Sequence, residues 1–586
     1  MKTKLTFILS LLILLVSAYF FIIADFDKTE STLYKNGNII TLENDMPFAE
    51  AFFVKNGIIK AIGSSKDLKS FESEKIKIVD LKGATVLPGF IDSHTHVALS
   101  AFLENMVDLS GFTHKNSDEV WQALADAVKT KKSGEWIVCK GIDPVLIPDL
   151  VTPHISYLDS IAPNNPLVML SQSLHTYWAN SLAFELAGIT KETPNPSKSS
   201  YYEKDSLGNL TGLIAEQHAF TPILEALKEN ALSTKVLMQS TAKVLRKYAQ
   251  NGNTTIVSAG LSINDAKPLR LYEHLSAEKP TFLNQLLSFI KMLPERTANP
   301  RHFIYIRYDK AFLMPKEKDT TNNFYNIIGI KHWYDGSPYT GSMFLKEPYL
   351  ISEMTQKGLH IADGSKGKAL IAQDDLVDFI KEYQTKGWQI AIHSQGGIAS
   401  ENILKAFETA SKEIDVTKTR NRIEHCLLLS KESMDKILTY NMVPNFHINH
   451  LYYYGHALEK HILGAERAQK ILPVAYAQSL DLKYALHADQ PMFESNPFRL
   501  IQTAVERLTK EGDSIGFKQN ISVLNGLKSM TINAAWQIHM EDKIGSLKKG
   551  KYADFIIVDK NPLKIPTTDL ESIKILKTFV NGNFVN

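Results

Sequence analysis

Leu376-Val377-Asp378-Phe379-Ile380-Lys381-Glu382-Tyr383-Gln384-Thr385-Lys386-Gly387-Trp388-Gln389-Ile390-Ala391-Ile392-His393 holds one complete helix-to-strand unit. Leu376, Phe379, Ile380 and Tyr383 recur at helical spacing, so a single apolar stripe faces a core. Gly387 supplies a helix C-cap, and residues 388–392 then run as a short apolar strand into His393. Working outward, short apolar strands alternate with amphipathic helices, the mark of a parallel sheet with crossover helices. Strands are predicted at 90–97, 254–259, 281–289, 327–334, 388–395, 422–429, 442–447 and 484–489. Eight such strands close into an α/β (β/α)8 barrel, here over 88–540, with a large insertion after strand 1 at about 99–251.

The two ends read differently. Residues 52–59 are β-like and turn at Asn56-Gly57, a preferred two-residue hairpin turn. Residues 552–558 and 578–585 are also strand-like, the second turning at Asn581-Gly582. Neither end carries enough apolar surface to fold alone, so one small β-sandwich domain is expected from 28–87 and 541–586 together. Ahead of it, residues 5–24 are broken only by Thr6, Ser10 and Ser17. As a helix this run is about 30 Å long, enough to cross a bilayer. Lys2 and Lys4 precede it and Asp25 and Asp27 follow it, so the chain is expected outside the cytoplasm, with residues 1–27 a signal peptide or membrane anchor.

Hydrophobic residues make up 44% of the 586 and charged residues 22%, the balance of a globular protein with a large core. The 65 basic and 63 acidic side chains nearly cancel, which excludes a global field for nucleic acid. Only Cys139 and Cys426 are present, so no disulfide framework exists and both are expected as buried thiols. The expected partners are a small-molecule substrate, the membrane through 5–24 if that segment is retained, and a second copy of the chain as a homodimer.

The chemistry concentrates at strand ends. His94 and His96 lie two residues apart on the first strand, and side chains alternate with period two, so both imidazoles face one side as chelation requires. Lys331, His393, His425 and Asp489 stand at the ends of the fourth, fifth, sixth and eighth strands. In a parallel barrel those ends converge on one mouth. Six such groups inside a rim are costly unless paired or bound to an ion.

These segments resemble the amidohydrolase superfamily, and in detail its family 3 branch, which is YtcJ-like and includes N-substituted formamide deformylases. The resemblance runs through 87–96, 158–163, Lys331 with Asp335-Gly336-Ser337, Arg422-Ile423-Glu424-His425, 487–491 and 544–554. It implies a binuclear centre of two divalent ions, zinc by default, with iron or manganese as substitutes. His94 and His96 with Asp489 would hold one ion, His393 and His425 the other, and Lys331, carboxylated to a carbamate, would bridge them. It also implies hydrolysis of a non-peptide carbon–nitrogen bond by a metal-bridged hydroxide, with Asp489 as general base and then acid. Hydrolysis of esters or lactones, deamination, or a silent membrane-tethered binding role are the alternatives on the same scaffold.

Candidates for substrate contact are His175 in the insertion, Asp335, and His450 with Tyr453 in the loop after strand seven. Glu216 and Trp333 carry no assignment. Where the family has Gly-Asp, this chain reads Gly396-Gly397, and an expected arginine after Asp335-Gly336-Ser337 is replaced within 338–343. Loss of one acid and one base predicts a less polar pocket.

Overall fold

Strand Gln389–Ser394 is buried along its length and lies parallel to Tyr325–Trp333 on one side and Arg422–His425 on the other. Helix Gln373–Thr385 delivers it, burying Leu376, Val377, Ile380 and Tyr383, and Gly387 adopts the left-handed conformation (φ 75°) that reverses the chain. In this computed structural model the same unit repeats into one eight-stranded parallel sheet. Its strands, in order around the sheet, are β1 (Phe90–Thr95), β2 (Asn253–Leu261), β3 (Arg301–Arg307), β4 (Tyr325–Trp333), β5 (Gln389–Ser394), β6 (Arg422–His425), β7 (Val443–Phe446) and β8 (Ala485–Leu486). The structure describes residues 31–585 apart from 73–75, 144, 148, 198–199, 231 and 279–280, and also residues 10, 13 and 17.

Beyond β8 the barrel closes through the backbone. Asp489 N–H donates to His94 O at 3.2 Å and His96 N–H donates to Gln490 O at 2.8 Å. The first and last strands are therefore stitched together at their C-terminal ends, beside the candidate ligands. The opposite end is plugged by Ile91, Val257, Phe303, Tyr305, Ala391 and Ala485, which pack on Ala534, Ala535 and Ile538. An apolar floor below and ionisable groups above is the layering of a filled barrel with its chemistry at one mouth.

One predicted strand is wrong. Residues 281–289 form helix Phe282–Phe289, capped by the Thr281 side chain, which accepts from Asn284 N–H. Apolar residues at 282, 283, 286, 287, 289 and 290 follow the helical period, and that period outweighs the apolar run. The third barrel strand is Arg301–Arg307, whose core is Phe303-Ile304-Tyr305-Ile306. The sixth strand is also shorter than predicted, because His425 and Cys426 turn into left-handed backbone (φ 74° and 53°).

Between β1 and β2 the chain builds its own six-stranded sheet, in which Leu167–Ser171 and Thr176–Ala179 are central. Both ends of the chain contribute to another six-stranded sheet, where Thr85–Pro88 pairs with Phe555–Val558, and a four-stranded sheet from the N-terminal part packs on it through Tyr34, Phe52, Phe555 and Phe579. Asn56 and Gly57 both have positive φ, as the tight turn joining Ala51–Lys55 to Ile58–Gly63 requires. Arg301 anchors this assembly to the barrel: its buried guanidinium bonds both oxygens of Asp554, at 2.6 and 3.0 Å, between the rings of Phe324 and Tyr552. Cys139 and Cys426 are buried free thiols. The expected membrane segment 5–24 lies outside the described residues, three positions excepted, and among the described residues no helix is long and apolar enough to cross a membrane.

Candidate metal centre

The site rises from a polar layer just above the apolar floor. Arg422 on β6 forms a fork on Glu424, with Nε to Oε1 at 2.7 Å and Nη2 to Oε2 at 3.1 Å, and its Nη2 also donates to Ser93 O. Asn445 donates to the same Oε2 at 2.8 Å. Both charges are fully buried, so the pair is tolerable only because each partner is saturated with hydrogen bonds. Burial alone would raise the Glu424 carboxyl, but Arg422, His94 and Lys331 hold it well below the usual carboxylate range.

Glu424 Oε2 meets His94 Nδ1 at 2.5 Å. A carboxylate at Nδ1 fixes the proton there, so the Nε2 lone pair of His94 is left to face the mouth. Asp335 does the same for His393: its Oδ1 lies 3.1 Å from His393 Nδ1. Asp335 is fully buried and also accepts the N–H groups of Gln395, Gly396 and Phe344 at 2.8 to 3.0 Å. Its acceptor positions face these protein groups, so its place in the structure is beneath His393.

Above this layer Asp489 is the hub. Oδ1 stands 3.0 Å from His96 Nε2 and 3.4 Å from His94 Nε2, while Oδ2 stands 3.8 Å from His447 Nδ1 and 4.0 Å from His425 Nδ1. Burial would raise this carboxyl too, and the surrounding imidazoles of His94, His96 and His447 bring it well below its ordinary value. The His425 ring lies between His94 (centroids 4.7 Å) and His393 (4.4 Å). Burial, with neighbouring imidazoles and Lys331 adding to it, depresses His425 strongly, and it takes His94 and His447 to about 3. The rings are therefore neutral, the form that ligates a cation. Lys331 on β4 is fully buried, its Nζ has no hydrogen-bond partner, and burial lowers its pKa to about 8 against the pull of Glu424 and Asp489.

All six predicted ligands thus reach one mouth. Two close sets of potential ligand atoms emerge around them, His94 with His96 and Asp489, and His425 with His447 and Asp489; a third joins His94, Glu424 and His487. Backbone geometry explains how short strands achieve this. His425 and Asp489 both adopt left-handed backbone (φ 74° and 57°), a conformation costing a non-glycine residue roughly 1–2 kcal/mol, which the surrounding packing must offset.

The substrate-side candidates scatter more widely. His450 is buried, with Nδ1 2.8 Å from Tyr339 Oη and Nε2 2.9 Å from Gln395 Nε2, and its ring lies 4.2 Å from that of His447. Tyr453 stacks on Phe493 and meets Phe112 edge-on, at 5.0 and 4.7 Å between centroids, and Phe493 in turn touches His447. An aromatic wall therefore joins the insertion to the mouth. His175 is half-exposed and pairs with Glu216 at 2.9 Å. Sequence reasoning assigned no role to Glu424, His447 or His487, although all three lay inside segments it had singled out.

The chain is 30% identical over 567 residues to the Protein LONG AFTER FAR-RED 3 of Arabidopsis thaliana, covering 94% of this chain and 90% of that protein. It is 24% identical to the N-substituted formamide deformylase of Arthrobacter pascens, covering 93% and 96%. Its fold matches the crystal structure of an uncharacterised metal-dependent hydrolase from Pyrococcus horikoshii, with a TM-score of 0.69 at 21% identity over 92% of this chain and 99% of that one. The family model described as the amidohydrolase family matches residues 77–586. The protein is an enzyme of the amidohydrolase family.

Proposed function

We propose that this enzyme hydrolyses a non-peptide carbon–nitrogen bond of amide type in a small molecule, with two divalent ions held at the barrel mouth. The observation that carries the reading is the set of buried atoms without hydrogen-bond partners among the described residues: Lys331 Nζ, His425 Nδ1 and both ring nitrogens of His447 and His487. Each costs roughly 1–3 kcal/mol if left unsatisfied, and bound cations would relieve that cost at His425 and, once it is carboxylated, at Lys331. His94, His96 and Asp489 would hold one ion and His393 and His425 the other, with Lys331 shared between them. Mixed imidazole and oxygen donors suit zinc, with iron or manganese as substitutes. Lys331 joins as a carbamate, because burial keeps a useful fraction of its amine uncharged near pH 8, and only the free amine adds CO2.

When bound, such ions supply Lewis acidity, which lowers the pKa of water toward neutrality and polarises a carbonyl oxygen. Asp489, central to four imidazoles, would take a proton from the attacking water and deliver it to the departing nitrogen. An amide nitrogen leaves poorly unless protonated, so this delivery matters more here than for an ester. Glu424 and Asp335 hold His94 and His393 in the tautomers that point at the ions. Phe112, Tyr453 and Phe493 keep the approach dry on one side. The name of the formamide deformylase relative supports the carbon–nitrogen bond class. The apolar run 5–24 behind Lys2 and Lys4 supports an exported enzyme.

Matched pairs of N-acyl amides and O-acyl esters sharing one acyl group test the reading. The expected result is turnover of amides with kcat/KM at least equal to that of the esters, despite their higher intrinsic barrier. Turnover of esters alone would overturn it.

A further inference from the structure

Between the insertion sheet and the loop after β8 lies a cavity of about 50 Å³, whose walls include Asp108, Ser110, Phe112, Lys140, Gln172 and Met492. It adjoins the metal centre through the backbone: Met492 N–H donates to Asp489 O at 2.9 Å, and Gln172 Nε2 donates to Met492 O at 3.0 Å. Roughly 10–15 Å³ of such space admits one water, so a group the size of a carboxylate fits.

Two polar groups face this space unused. Ser110 is only 3% exposed, yet its Oγ has no hydrogen-bond partner. Lys140 sits in register beside Asp108 on the neighbouring strand, but among the described residues nothing forms an ion pair or side-chain hydrogen bond with its ammonium. Asp108 is exposed and accepts instead from Ser110 N–H at 2.8 Å and the Thr113 hydroxyl at 3.4 Å. The local backbone is shaped for the arrangement. Gly141 has φ 90°, and a Cβ there would come within 2.6 Å of Ser110 Cβ, so glycine is what lets Ser110 sit against the strand. Lys510, whose backbone N–H donates to Tyr452 O at 2.7 Å, donates through Nζ to Gly111 O at 2.9 Å and pins the same loop.

A partly buried lysine and a buried hydroxyl, both without protein partners among the described residues, are the donors that an anionic group of two oxygens requires. We infer that this cavity is a subsite for a carboxylate carried by the substrate away from its scissile bond, with Lys140 as counter-ion and Ser110 as hydrogen-bond donor. The inference rests on the reading of the Asp489 centre as the place where a carbon–nitrogen bond is cut. It also refines the expectation of a less polar pocket: the aromatic wall of Phe112, Tyr453 and Phe493 takes the apolar middle of the substrate, and its far end is charged.

Binding separates this inference from the reaction it rests on. Calorimetry on the metal-loaded full chain would use N-acetyl-ω-amino acids with two to six methylenes, each beside its primary carboxamide. At least one acid is expected to bind roughly 10- to 100-fold more tightly than its carboxamide, the gain of a charge-assisted contact. In Lys140→Met that preference disappears while carboxamide binding is unchanged, and Lys140→Arg retains part of it. Equal binding of acids and carboxamides, no binding of either, or an acid preference that survives Lys140→Met in a variant with wild-type melting temperature would overturn the subsite. Binding that depends on Lys140 without any hydrolysis would leave the subsite standing and count against the reaction.

Discussion

Asp489→Asn is expected to lower kcat for amide hydrolysis by roughly 10³- to 10⁴-fold while leaving metal content close to that of the wild type. The carboxamide keeps the shape of the side chain and one ligand oxygen, so the ions retain a donor where Oδ1 stands 3.0 and 3.4 Å from the Nε2 atoms of His96 and His94. It cannot accept and return a proton. A structural role for Asp489 would give the opposite pattern, with metal lost and the residual activity following occupancy. Steady-state kinetics and elemental analysis on one preparation distinguish the two outcomes.

Lys331→Met is expected to stabilise the metal-free protein and to disable the metal-loaded one. In the metal-free chain Lys331 is a fully buried amine without a hydrogen bond, and an apolar side chain of similar length removes that penalty, roughly 1–3 kcal/mol. The pH dependence follows from the sign of the shift. Burial lowers the folded-state pKa to about 8 from 10.5, so the unfolded chain binds the extra proton between those values. The cost of the buried ammonium is therefore fully present below pH 8 and fades as pH rises toward 10.5. The advantage of the methionine variant over wild type should shrink across that window in thermal melts of chelated protein. With metal restored, the variant should lose the carbamate proposed for Lys331, and activity with it. Destabilisation of the metal-free variant at pH 7 would show that Lys331 is a packing residue whose amine is satisfied.

The barrel was legible because its strands carry regular signals, and the failures have physical causes. Residues 388–393 read correctly because a helical stripe, a glycine cap and an apolar strand agree with one another. Residues 281–289 were misread because a short apolar run fits a strand or a helix equally until its period is counted. The true third strand, Arg301–Arg307, carries arginine at both ends, and the charge of Arg301 is met inside by Asp554, a partner more than 250 positions away that local patterning does not reveal. The candidate ligands at strand ends were singled out by position, and the structure brings them to one mouth. Glu424 was not, because strict alternation turns it away from the face of its neighbour His425, whereas the left-handed turn at His425 brings both to the centre. His487, two residues before Asp489, had the spacing of a same-face residue, and His447 closed a predicted strand, so both signals were available. The insertion gave little, since its packing against the mouth depends on contacts such as Gln172 with Met492.

All of this chemistry depends on cations occupying the ring of imidazoles around Asp489. Elemental analysis of the purified full chain, after incubation with zinc, manganese and ferrous salts and removal of the excess, measures that occupancy directly. About two equivalents of divalent metal per chain are expected, bound at micromolar affinity or better and removed by chelation together with activity. Protein that stays folded and takes up no metal from any of the three salts would contradict the account.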